Sequence, residues 1–364
     1  MPSVRLEIGN DLTVVRIEED ILSTIGDALA SSCGPPAGRR AVLVTDHTVG
    51  GIYGDRTGES LASAGWKVST FAIAPGEQSK RLTTAGALYQ FLSDRGVRRD
   101  SAVVALGGGV VSDLAGFVAA TWMRGIDFAI CPTSMEACVD ASIGGKTAVN
   151  VPGGKNLVGA FHQPKLVAID PGVLATLPER DICAGLAESI KHGLIFSEEF
   201  LAWHERNASS ILSLAGTYIS ELIERNVRFK GKIVARDARE QSDDRVLLNF
   251  GHTIGHAIES CCGFSLRHGE CVSLGMLASC RLSNSLGLLS DLDVSRTQAV
   301  LKQYDLPTCL PEAIAWDRIR DAMMRDKKAT ALSLRFVLLE AIGHPVLRDD
   351  VGESSVRAAY ESLM

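Results

Sequence analysis

The sequence predicts an α/β domain followed by a mainly α-helical one, on three observations. Short apolar, β-branched runs alternate with helical intervals between Ala41 and Asp170, and strands alternating with helices imply a parallel sheet. From Asp181 to about Gly287 apolar residues recur three and four apart with few strand signals, which is the period of helices. Pro171 and Pro178 separate the two patterns, and 364 residues are long for one core and natural for two.

Ala41-Val42-Leu43-Val44-Thr45-Asp46 is the first such strand and ends in an acid; Lys67 to Ile73 is the second. Ser101 to Leu106 runs into Gly107-Gly108-Gly109-Val110-Val111-Ser112-Asp113, after which Leu114, Phe117, Val118 and Trp122 recur at helical spacing. This is a strand, a glycine turn and a helix. Phe128 to Cys131 is a strand that stops at Pro132, and Leu166 to Asp170 is another that stops at Pro171. Late in the chain, Ser333 to Leu339 is the one segment that alternates like a strand. The sequence contains no internal repeat and no low-complexity tract.

The formal charge of -6, without a basic stripe or interleaved aromatics, excludes a nucleic-acid groove. No apolar run approaches the ~18 residues of a membrane span, because Asp113 interrupts the longest candidate. Met1 to Glu7 lacks the apolar core of a signal peptide, so a cytoplasmic protein is expected. Nine cysteines without a CxxC pair, and with only Cys261-Cys262 adjacent, read as buried reduced thiols rather than a disulfide framework or a thiolate zinc site.

Several segments carry chemistry. Gly107-Gly108-Gly109 would let a pyrophosphate approach the backbone, and the following helix offers it unpaired N–H groups and about half a positive charge. The third glycine of GxGxxG is replaced by Ser112, so the segment reads either as a dinucleotide turn or as a tight structural turn. Asp46 reads either as an acceptor for a ribose hydroxyl or as a helix N-cap. Pro75-Gly76-Glu77-Gln78-Ser79-Lys80 is a turn with one acid and one base. Asp140 to Thr147 gathers a carboxylate, a hydroxyl, two glycines and Lys146, and Gly153-Gly154-Lys155-Asn156 follows closely. Lysines in glycine turns serve phosphate or polyol oxygens; the plainer account is exposed lysines in loops.

Glu188 and Lys191 stand one helical turn apart, which is a surface salt bridge unless the carboxylate joins histidines around a divalent ion. His252 and His256 share a helix face, and His268 arrives just after that helix should end. Three imidazoles each beside a glycine read as a metal site rather than as core histidines, and spacing alone leaves open which of them bind. Thr253 stands where HExxH has its glutamate, which disfavours protease chemistry.

Taken together these residues resemble one family, 3-dehydroquinate synthase, within the sugar phosphate cyclases. The resemblance runs from Pro75 to about Gly275 through Pro75-Gly76-Glu77, Gly107 to Val110, Arg124-Gly125, Val139-Asp140 to Lys146-Thr147, Gly154-Lys155-Asn156, Thr176-Leu177-Pro178, Glu188 to Lys191, Asn249-Phe250-Gly251-His252 and His268-Gly269-Glu270. Asp326-Lys327-Lys328 and Arg335-Phe336-Val337-Leu338 extend it. It implies an NAD-binding α/β domain over residues 1–177, a helical metal- and substrate-binding domain over 178–364, NAD and substrate in the cleft between them, and a homodimer.

Carried over by motif, the metal ligands are Glu188, His252 and His268, for zinc or cobalt, and His256 becomes a substrate-side acid or base. Lys146, Lys155, Asn156, Arg124 and Lys328 surround the phosphate, with Arg124 resembling a family residue that reaches across a dimer interface. Lys191, Lys230, Arg245 and Asn249 meet the carboxylate and hydroxyls, and Asp140 belongs to the same catalytic set. On the cofactor side stand Asp46, Glu77, Lys80, Gly109, Val110, Asp113, Thr133, Ser134, Lys146, Lys155 and Thr176.

The implied reaction turns 3-deoxy-D-arabino-heptulosonate 7-phosphate into 3-dehydroquinate and phosphate. The C5 hydroxyl is oxidised by hydride transfer, phosphate leaves by β-elimination, the ketone is reduced back and the opened ring closes by an aldol step. Two stretches depart from the family pattern: Ser134-Met135-Glu136-Ala137-Cys138, and the loop from Glu240 to Arg245, one residue longer than usual. They keep a relative such as aminodehydroquinate synthase as the alternative within the superfamily. From a different class, metal-dependent polyol dehydrogenases share the two-domain plan, and the two Gly-Gly-Lys turns argue against them.

Overall fold

A computed structural model of the chain describes residues 3–263, 265–326 and 334–364. The chain forms two compact units: Met1–Leu177 with Ile219–Arg239, and Pro178–Tyr218 with Glu240–Met364.

The first unit is built on a seven-stranded sheet. Its strands are β1 (Ser3–Ile8), β2 (Asp11–Ile17), β3 (Arg40–Asp46), β4 (Lys67–Ile73), β5 (Ala102–Gly107), β6 (Asp127–Pro132) and β9 (Leu166–Ile169), in the order β1-β2-β9-β6-β5-β3-β4. Two further strands, β7 (Lys146–Val151) and β8 (Gly154–Phe161), form a separate antiparallel hairpin. All pairings in the large sheet are parallel except β1 with β2.

The central strands are apolar without alternation because both faces are covered. Val42 and Val44 of β3 pack into one core with Val103, Leu114, Phe117 and Phe128, whereas Ala41 and Leu43 pack into the other with Val104, Leu106, Leu29 and Trp66. Helix α1 (Gly109–Thr121) follows the glycine turn and buries Leu114, Phe117 and Val118, the positions whose spacing predicts it. The two amino-terminal strands were not expected; in β1 the pattern is half-buried, with Val4, Leu6 and Ile8 inward.

The direction of strand progression reverses at β3 and β5: the chain passes from β3 outward to β4, then returns to the other side of β3 for β5 and β6. In open α/β sheets, ligands lie beyond the carboxyl ends of the strands at such a switch.

The second unit is helical apart from the hairpin of β10 (Phe336–Ala341) and β11 (His344–Arg348). Its first strand takes up residues 336–339 of the predicted late strand; Leu334 and Arg335 precede it without joining a strand, and Ser333 lies outside the described residues. Helix α2 (Glu179–Phe196) has every residue from Ile182 to Ile195 buried, so it is the central element of the unit. Against it lies α4 (His268–Ser285), and α3 (His252–Cys261) packs against α4.

Glycines let these helices meet backbone to backbone. A Cβ at Gly269 would stand 1.8 Å from Ala184 O, and one at Gly275 1.9 Å from Gly251 O. The first turn of α4 is fixed by Glu270, which accepts from the Arg267 backbone N–H at 2.8 Å and from Arg180 Nε and Nη2 at 2.6 and 2.7 Å. Such an N-terminal bond is worth about 1 kcal/mol.

The two consecutive domains expected from sequence have no place for Ile219–Arg239, which returns to the first unit. This segment is most of the helix Gly216–Arg236; Gly231 lies against Leu6 of β1, and Lys230 reaches Asp140.

Because the added methyl would collide with backbone, Gly269→Ala and Gly275→Ala should each cost about 3 kcal/mol or more. Thermal unfolding should show both midpoints lowered well below that of Gly216→Ala, where nothing lies within 4 Å of the added carbon and the backbone is not left-handed. Equal midpoints would contradict the close packing.

Candidate active site

In the second unit, α2 carries Glu188 and Lys191, and the start of α3 carries His252 and His256. Glu188 and Lys191 form an ion pair whose side chains are each 2% exposed, which rules out the surface salt bridge. Burial alone would push the Glu188 carboxyl up, but the Lys191 ammonium is the largest opposing influence, and the group is held well below the usual carboxylate range. Burial and the Lys191 charge push His252 down to about 4, so its imidazole is neutral at pH 7.

The tautomers follow from the partners. His252 Nδ1 lies 3.0 Å from the carbonyl of Phe250, which can only accept, so Nδ1 carries the proton and Nε2 the lone pair. His268 Nδ1 is held in the same way by Glu259 Oε2 at 3.1 Å. Both Nε2 atoms then point to Glu188 Oε1, each at 3.4 Å, and among the described residues that oxygen has no hydrogen-bond donor. Two imidazole lone pairs and an anionic oxygen facing one another repel unless a cation stands among them. The donor set therefore fits a divalent metal of the zinc or cobalt type, with imidazoles oriented from behind by acceptors.

His256 completes the cluster. Ring centroids lie 5.1 Å apart for His252 and His256 and 5.6 Å for His256 and His268. Among the described residues these three imidazoles are the one group whose potential ligand atoms all lie within 4.8 Å. Arg245 is also in this unit and 1% exposed, with Asn249 half-buried nearby in sequence. Lys328 lies outside the described residues.

In the first unit, these cofactor candidates come from five separate segments and fall on one edge of the sheet. Asp46 ends β3, Glu77 and Lys80 follow β4, Gly109, Val110 and Asp113 follow β5, Thr133 and Ser134 follow β6, and Thr176 follows β9. This is the carboxyl edge, where the topology reverses. Outside its own helical turn, no heavy atom of the described residues lies within 4 Å of where a Cβ of Gly109 would sit, so the first turn of α1 has room for a ligand.

Other contacts bind these residues to one another. Lys80, 5% exposed, pairs with Asp113; burial raises the Asp113 carboxyl and the ammonium opposes that rise. Asp46 Oδ1 accepts from the amides of Thr48 and Val49 at 2.8 and 3.0 Å, which is the N-cap reading; a ribose contact has its other oxygen.

One Gly-Gly-Lys turn leads into the β7–β8 hairpin and the other joins its two strands, with Lys146 opening β7 and Lys155 and Asn156 near the start of β8. Lys230 Nζ donates to Asp140 O at 2.7 Å and lies 2.9 Å from Asp140 Oδ1. Arg124 and Met123 are exposed, with φ of 66° and 50°. Sequence reasoning passed over Glu259 and the Phe250 carbonyl; the acid one turn before the end of α3, on the side of its histidines, was the available signal for the first.

The fold is that of the sugar phosphate cyclases. Two solved structures align with the whole chain: a 2-deoxy-scyllo-inosose synthase complexed with carbaglucose-6-phosphate, NAD+ and Co2+ (TM-score 0.91, 24% identity, 100% of each chain) and the 2-epi-5-epi-valiolone synthase of Streptomyces hygroscopicus subsp. jinggangensis 5008 with NAD+ and Zn2+ bound (TM-score 0.85, 27% identity, 100% of this chain and 99% of that one). Residues 70–184 match the family described as 3-dehydroquinate synthase N-terminal, and residues 185–329 the one described as 3-dehydroquinate synthase C-terminal. A protein of Desulforamulus reducens named 3-dehydroquinate synthase is 44% identical over 359 residues, 98% of this chain and 99% of its own. The chain belongs to the 3-dehydroquinate synthase family.

Lys191→Met should leave Glu188 buried without its countercharge, costing about 3 kcal/mol or more at neutral pH. In the native protein the depressed Glu188 pKa gives stability that is present above the ordinary carboxylate range and lost as pH falls through the lowered value. The variant inverts this, because burial then raises the carboxyl. Thermal midpoints of the chelator-treated proteins should differ most near pH 8 and converge towards pH 5; a constant difference would refute the pairing.

Proposed function

We propose that the chain converts 3-deoxy-D-arabino-heptulosonate 7-phosphate into 3-dehydroquinate and phosphate, the activity for which its family is named, using NAD and a divalent cation, zinc or cobalt. The step belongs to the shikimate pathway to the aromatic amino acids. The observation that carries this reading is the convergence of two imidazole Nε2 atoms on the donor-less Glu188 Oε1 at 3.4 Å. When bound, NAD supplies reversible hydride acceptance at a ring hydroxyl and the cation polarises the oxygen there.

The remaining work falls to side chains. Glu188, His252 and His268 hold the cation; the open turn at Gly109, with Val110, Asp46, Glu77, Thr133, Ser134 and Thr176, holds the dinucleotide, and the Lys80–Asp113 pair supports it. Lys146, Lys155, Asn156 and Arg124, with Lys328, neutralise the phosphate as it leaves, compact ammonium groups on turns being suited to its oxygens. Lys191, Arg245 and Asn249 meet the carboxylate and hydroxyls. Lys230 shares that role while anchored on Asp140. His256 moves a proton on the substrate side.

We place Arg124 at the interface of a homodimer, since a left-handed, exposed arginine is set to reach outward rather than into its own fold. No helix among the described residues is long and apolar enough to cross a membrane. We place the protein in the cytoplasm, where its nine free thiols stay reduced.

Purified protein supplied with NAD and zinc or cobalt should release phosphate from the heptulosonate phosphate without accumulating NADH. Absence of turnover would sink this reading, and steady growth of free NADH with a polyol would place the chain among the dehydrogenases instead. His252→Ala should lose its metal on dialysis, whereas His256→Ala should retain it and turn over at least about a hundredfold more slowly. Metal content by mass spectrometry checks the division; equal metal loss in both variants would contradict it.

A further inference from the structure

Asn150 is absent from every role assigned above, yet all of its polar backbone and side-chain contacts run to segments that carry site residues. It stands near the end of β7. Its backbone N–H donates to Lys80 O at 2.8 Å, its Nδ2 donates to Glu77 Oε1 at 2.7 Å, and its Oδ1 accepts from the Asn156 backbone N–H at 2.9 Å. Arg81 also pairs with Asn150 in an isolated parallel bridge. All of these residues belong to the first unit.

The two ends of one amide thus do different things. The donor end fixes a carboxylate 73 positions earlier in sequence, and a bond from N–H to an ionised oxygen is about twice as strong as a neutral one. Among the described residues only one oxygen of Glu77 is engaged, so the other stays available to a ligand hydroxyl. The acceptor end holds Asn156 in a left-handed conformation, φ 56°, which few residues other than glycine adopt without a local bond. Were Asn150 only a brace for its own hairpin, the Asn156 bond would suffice; the bond to the turn after β4 serves no hairpin.

We infer that Asn150 is a positioning residue that sets the cofactor-side acid Glu77 with its donor end and the phosphate-side turn Lys155-Asn156 with its acceptor end. The inference rests on the function proposed above. It also makes the two effects separable, because aspartate keeps the acceptor and replaces the donor by a charge that repels Glu77.

Asn150→Asp should weaken NAD binding about tenfold or more while leaving inhibition by inorganic phosphate within about twofold of the native enzyme. Asn150→Ala, which loses both ends, should weaken both by about tenfold. NAD affinity is read by tryptophan-fluorescence titration of the full chain, phosphate by its inhibition constant, and thermal midpoints within a few degrees of native confirm that both variants fold. Parallel losses of NAD and phosphate binding in the aspartate variant, or no loss in either variant, would overturn the assignment. A native protein that binds neither NAD nor phosphate would overturn the proposed function and this inference with it, whereas native binding with parallel losses overturns this inference alone.

Discussion

A carboxylate in the middle of a helix buried on all sides is the constraint on which the helical unit turns. Glu188 is 1% exposed, and an isolated ion there would lose several kcal/mol of hydration. Lys191 supplies the countercharge from one turn along the same helix, so the pair is preformed before any ligand arrives. What Lys191 does not supply is a donor on the opposite oxygen, and there the two imidazoles present lone pairs. The geometry holds because the surrounding helices cannot drift: Gly269 and Gly275 seat α4 at backbone contact, and Glu270 pins the turn from which His268 projects. A close-packed interior therefore holds three mutually repelling groups within reach of one point.

The α/β unit reaches order by another route. Its cofactor candidates stand at strand ends, where the backbone already has a fixed direction and register, so residues from five stretches share one edge of the sheet. Two residues proposed to meet an anion, Arg124 and Asn156, are among the eight described non-glycine residues with positive φ.

Much of this was legible in the sequence because burial on two faces writes continuous apolar runs, and β3, β5, β6 and β9 are such runs. The β7–β8 hairpin was not, since β8 is mostly exposed and glycine-rich and carries no burial period to read. In the site, residue types and motifs pointed to Glu188, His252 and His268, but the i,i+4 spacing paired His252 with His256, and only packing brings in a glutamate 64 positions away. Long-range partners of this kind, Lys80 with Asp113, Glu259 with His268, Asn150 with Glu77, leave no trace in local pattern because either member is unremarkable alone. Asp46 shows the opposite case: its local role as a cap was readable and is present, and the same oxygen that caps is withdrawn from any ligand.

The return of Ile219–Arg239 to the first unit has a consequence for biosynthesis. During translation the sheet emerges first, but the segment that completes its unit follows roughly forty residues belonging to the other, so the amino-terminal half leaves the ribosome with an unfilled face beside β1, where Leu6 awaits Gly231. Domains ordinarily fold as units in order of synthesis. Here the order is interleaved, and a fragment cut at Leu177 would lack Lys230 and part of its own packing.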